Sequence, residues 1–113
     1  MHIIATALSF NDLKKMAADM FGDIVKAVVD IDRELMAVDA ELHADLESLL
    51  LEDGSQQKHL WGINLYPEAS SDEFIEFDSL INVRPSQSNR SRGVENEAIR
   101  KKIIQIVSQR IAR

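Results

Sequence analysis

Between residues 25 and 32 the chain alternates strictly. Val25, Ala27, Val29 and Ile31 fall on one side, and Lys26, Val28, Asp30 and Asp32 on the other. A period of two is a β-strand with one cleanly apolar face. Such a face has to be covered, because a lone strand or hairpin buries too little apolar surface to hold together. The cover is written on either side. Ser9 followed by Asp12 is a helix-capping pattern. After it Leu13, Met16, Ala17, Met20 and Phe21 recur at helical spacing, and Gly22 supplies the stop. Near the other end Asn96 can cap a helix carrying Ile99, Ile103, Ile106 and Val107, with Arg110 in its last turn.

The stretch between the helices predicts further strands. Leu35 to Val38 follows the turn Asp32-Arg33-Glu34, Leu49-Leu50-Leu51 precedes Asp53-Gly54-Ser55, and Leu60 to Tyr66 closes at Pro67. Phe74 to Val83 reads as the longest strand, with Ile75, Phe77, Ile81 and Val83 on one face and Pro85 ending it. Ala40 to Glu47 fits a helical turn or an irregular loop. The expectation is an α+β fold: one domain over residues 1–113, a mainly antiparallel sheet of about five strands, and an N-terminal and a C-terminal helix packed on one face. A chain of 113 residues is long enough for a true core.

Cysteine is absent, so disulfides, thiolate nucleophiles and zinc–sulfur sites are excluded, and a reducing cytoplasm fits. No apolar run approaches the roughly 20 residues that span a bilayer, and the short apolar start lacks a basic leader. The expectation is a cytoplasmic protein without a membrane partner. Charge is unevenly spread. Residues 1–83 hold 5 Lys and Arg against 17 Asp and Glu, and residues 84–113 hold 8 against 2, within a net charge of −6. The acidic body argues against nucleic acid as a partner. The basic end suits either internal complementarity or an anionic partner.

Several runs carry a resemblance: Glu41-Leu42-His43-Ala44-Asp45, Leu60 to Pro67, Phe77 to Gln87 and Asn89 to Val94. Together they resemble a family of small prokaryotic proteins of unknown function, across nearly the whole chain. The resemblance implies no activity, substrate or cofactor.

The segment Arg84 to Gly93 is the least generic part of the chain. Arg84, Arg90 and Arg92 offer planar donors that match phosphate or carboxylate. Asn89 and Ser91 add amide and hydroxyl groups, Gly93 frees the backbone, and a helix N-terminus follows. These residues predict a small binding module for a phosphate- or carboxylate-bearing ligand at Arg84, Asn89, Arg90, Ser91 and Arg92. The competing reading is a clamp, in which the arginines pair with the chain's own carboxylates and at least one is tied to a buried one.

Three other clusters bear on function. His43 with Asp45 and Asp78 could serve a metal-assisted enzyme acting on a phosphate compound. However, the three histidines, His2, His43 and His59, show no metal spacing, so no metal ligand is assigned, and whether the chain is an enzyme and uses a cofactor stays open. Asp30, Asp32, Asn64, Glu76, Asp78 and Asn82 share polar parities and predict a solvated polar sheet face. Trp61, Tyr66, Phe74 and Phe77 read first as core. A homodimer through Trp61 or an edge strand, with the arginine loop purely structural, is the remaining alternative.

Overall fold

The computed structural model describes residues 1–113. Strands β1 (His2–Ile4) and β2 (Leu8–Ser9) lead into helix α1 (Phe10–Met20). Strands β3 (Val25–Asp30) and β4 (Leu35–Val38), helix α2 (His43–Glu52), strands β5 (Leu60–Leu65) and β6 (Ile75–Glu76), helix α3 (Glu97–Arg110) and strand β7 (Ile111–Ala112) follow. The α+β class is as expected. Five strands form one sheet in the order β1-β4-β3-β5-β6, with antiparallel neighbours throughout. The short parallel pair β2–β7 ties the start of α1 to the end of α3, with Leu8 opposite Ile111.

The local signals explain most of this. Ser9 Oγ accepts the Asp12 N–H at 3.1 Å, and Asn96 Oδ1 accepts the Ile99 N–H at 3.0 Å, so both terminal helices start at side-chain caps. Gly22, at φ 100°, turns α1 off. At the β3–β4 turn, Asp30 Oδ1 accepts the N–H groups of Asp32 and Arg33.

The main core lies on the predicted apolar face. Val25, Ala27, Val29, Met36, Val38, Trp61, Ile63 and Leu65 meet Leu13 and Ala17 of α1 and Ile103, Ile106 and Val107 of α3. The opposite face is not the solvated polar face expected from parity. Val28, Leu35, Ala37 and Leu60 pack there against Leu46 and Leu50 of α2 in a second core.

Two expectations about elements need correction. Leu49-Leu50-Leu51 is the last turn of α2, not a strand, because His43, Leu46 and Leu50 recur at helical spacing and bury one side. His2–Ile4 is the fifth strand instead. Phe74 to Val83 is not a long strand either. Pairing stops after Glu76, and Leu80–Asn82 form a 3-10 turn that Ser79 caps by accepting the Ile81 N–H.

The break leaves the outer edge of β5, opposite β3, without a strand neighbour from Leu60 to Ile63, and side chains take its place. The Asn82 carboxamide accepts from the Gly62 N–H at 2.8 Å and donates to the Gly62 carbonyl at 2.9 Å. Arg84 donates to the Leu60 carbonyl. Gly62 is required here: a Cβ would stand 2.6 Å from Ser79 Cβ and Oγ.

Candidate functional site

The arginine segment closes on itself. Arg84 and Asn89 form a single antiparallel bridge. The buried Asn89 side chain donates to the carbonyls of Asn82, Ser91 and Gly93 and accepts the Glu95 N–H. Glu95 reaches back, and its carboxylate accepts the N–H groups of Arg90 at 2.6 Å and Ser91 at 2.9 Å. Those two amides hold the Glu95 carboxyl below the usual range. Ser91 Oγ accepts the Gly93 N–H. A carboxylate of the same chain therefore fills the concavity that an external anion would enter.

The guanidinium groups divide three ways. Arg84 is 9% exposed. It lies over the Trp61 ring, 4.9 Å from the centroid, and faces Glu47 Oε2 at 3.6 Å, whose side chain is 15% exposed. Burial lowers the Arg84 pKa and Glu47 opposes that shift. Arg92 Nε donates to Asp78 Oδ1 at 2.6 Å on the surface. Arg90 is exposed and its side chain makes no salt bridge. Arg84 alone of the three faces a largely buried carboxylate, at ion-pair distance and without a hydrogen bond from Glu47 Oε2, and its Nε and one terminal nitrogen are buried without a partner.

A second set of open donors lies at the N-terminus of α2. Leu42 occupies the N-cap and its side chain cannot accept a hydrogen bond, so the first amides of the helix have no side-chain cap. His43, the first helical residue, is nine-tenths buried. Its Nε2 lies 2.8 Å from the Ile63 carbonyl oxygen. A carbonyl only accepts, so Nε2 carries the proton, and a neutral ring then presents Nδ1 as a bare acceptor. The Asn64 side chain lies close enough to hydrogen-bond the ring once it is protonated. Burial is the main cause that holds the His43 pKa below the usual histidine value, and Lys26 adds to it. The Ile63 carbonyl, Asn64 and Asp78 pull the other way.

His43 lines a cavity of about 180 Å³, together with Lys26, Ser79, Arg92 and the apolar Leu42 and Leu80. Lys26 rests over the Phe21 ring at 5.4 Å and has no carboxylate partner. Deeper in, Asn64 Nδ2 donates to Glu76 Oε1 and the Asp78 carbonyl, while its buried Oδ1 has no partner.

The structure brings His43, Asp78 and Arg92 into one neighbourhood. It leaves Asp45 exposed and outside the charges that shift His43, and it places Arg84 on the Glu47 and Trp61 side. Trp61 is 1% exposed, in the core. No group of three or more His, Asp or Glu side chains is arranged to hold a metal ion. Sequence reasoning overlooked Lys26, Glu47 and Glu95. Lys26 had a signal, as a lone cation on a strand otherwise flanked by acids. Glu47 had none once its helix was misread.

The fold and this site define a small three-layered α+β domain, with helices on both faces of the sheet and a cationic cavity on its α2 side. The chain belongs to the family described as "Protein of unknown function (DUF5674)", which matches residues 2–110. No curated protein and no solved structure matches the chain.

Proposed function

We propose that this domain is a binding module for a small anion, phosphate or carboxylate, held at the N-terminus of α2 by Lys26, Arg92 and the amides of His43 and Ala44. The observation that carries the reading is the uncapped start of α2, which opens onto a cavity beside a lysine without a counter-ion. An uncapped helix N-terminus attracts negative charge through free amides and the helix dipole. Lys26 and Arg92 add two positive charges against one from Asp78, leaving a cationic surplus. The volume bounds the ligand. Drug-sized ligands occupy roughly 300–1,000 Å³, so 180 Å³ takes an inorganic anion or a single anionic head group. The arginine segment contributes Arg92 to this site, while its backbone amides belong to Glu95. A reducing cytoplasm, rich in phosphorylated and carboxylated metabolites, is a setting that fits a chain without cysteine.

Titration with inorganic phosphate and with acetate, followed by amide NMR, tests the proposal. Roughly 10 mM anion suffices for an affinity near 1 mM, about −4 kcal/mol. The His43 and Ala44 amides should shift, those of Arg90 and Ser91 should stay, and Lys26→Gln should weaken binding about tenfold, the loss of a charge-assisted contact. Shifts confined to Arg90 and Ser91, or none at all, would overturn it.

A further inference from the structure

The mouth of the same cavity bears on what is attached to the anion. Leu80 is 71% exposed, more than any other large apolar residue of the chain, and Leu42 across the opening is 57% exposed. Single exposed leucines are ordinary. Here two line one opening, and Ile81 and Ala44 add to its apolar lining.

Leu80 is also firmly held. The Ser79 N–H donates to the Arg92 carbonyl at 2.9 Å, Ser79 Oγ accepts the Ile81 N–H, and Asn82 locks the turn to Gly62. An apolar side chain on a fixed turn loses little freedom when something packs on it. The cavity accommodates only a head group, so the rest of any larger ligand leaves between Leu42 and Leu80.

We infer that the site takes amphiphilic anions, in which a carboxylate or phosphate-ester head enters the cavity and a short aliphatic tail lies on Leu42 and Leu80. This rests on the anion-binding reading above, and the experiment separates the two. Acetate, butyrate and hexanoate, and in parallel methyl, butyl and hexyl phosphate, are titrated into the full chain while the His43 and Leu80 amides are followed. Hexanol serves as the uncharged control.

A fully buried methylene contributes about 0.8 kcal/mol, close to fourfold in affinity. With the tail half-exposed, roughly twofold per methylene is expected, and the tighter series identifies the head group. Leu80→Ser should flatten the dependence on chain length along both series. Equal affinities along both series, with clear His43 shifts, would overturn the tail and keep the anion site. Hexanol binding as tightly as hexanoate would overturn the amphiphile in favour of a plain apolar patch. No binding by any of the anions would overturn both readings.

Discussion

The arginine segment and the α2 cavity hold similar chemical groups and use them in opposite ways. In the segment, three backbone carbonyls fall to Asn89, two backbone amides to Glu95, and Arg84 to Glu47 and the Leu60 carbonyl. At the cavity, a helix start lacks a side-chain cap and a lysine lacks a counter-ion. A polar cluster that satisfies itself fixes a shape. A cluster that leaves donors over can take a ligand. Density of arginine marks the first of these regions, where only Arg84 keeps two buried nitrogens and Glu47 one buried oxygen without a hydrogen bond, and a lysine without a counter-ion beside an uncapped helix start marks the second.

The comparison breaks most readily at Arg84. If it is structural, Arg84→Met should cost about 3 kcal/mol in urea unfolding, because a largely buried Glu47 loses its partner. Glu47→Met in addition should restore much of that loss. A loss below about 1 kcal/mol would place Arg84 with ordinary surface arginines.

His43 sharpens the cavity side. Its folded pKa lies below the unfolded value of about 6.5, so the unfolded chain binds more protons in that range. The contribution of neutral His43 to stability is therefore complete above about pH 6.5 and is lost as pH falls from there toward the folded value. Chemical unfolding between pH 7.5 and 5.5, ranges set around that reference value, should show the decline, and His43→Gln should flatten it. A bound anion favours the imidazolium, so acetate, which stays ionised over this range, should bind more tightly as pH falls. A pH-independent difference between the wild type and His43→Gln would contradict the lowered pKa.

The smallest effect belongs to Arg90. Arg90→Ala should change stability by less than about 0.5 kcal/mol and leave phosphate affinity untouched. Loss of anion binding in this variant would return the site to the loop.

Much of the fold was legible because its signals are local. Ser9 and Asn96 are helix caps whose side chains do what their chemistry suggests, and the alternation from Val25 to Asp30 set the core face. The second layer was hidden. Leu42 gives no capping signal, and Leu49-Leu50-Leu51 is a continuous apolar run whose period is ambiguous. The alternation from Ile75 to Val83 misled because Ser79 diverts the backbone into a turn and sends Asn82 inward. At the site, His43, Asp78 and Arg92 could be named in advance. Their meeting with Lys26 could not, because it depends on α2 crossing the far face of the sheet.

The Asn82 side chain has a consequence for how the molecule behaves in a crowd. An open strand edge is a template on which another chain can add a strand. Many proteins guard such edges with a lysine, a proline or a bulge. Here the edge of β5 is stoppered by one carboxamide imitating a peptide group, with Arg84 beside it. Asn82→Leu would expose the Gly62 N–H and carbonyl together, and with them a strand ready to pair. The same turn that steadies the rim of the cavity also keeps each copy of the chain from recruiting the next.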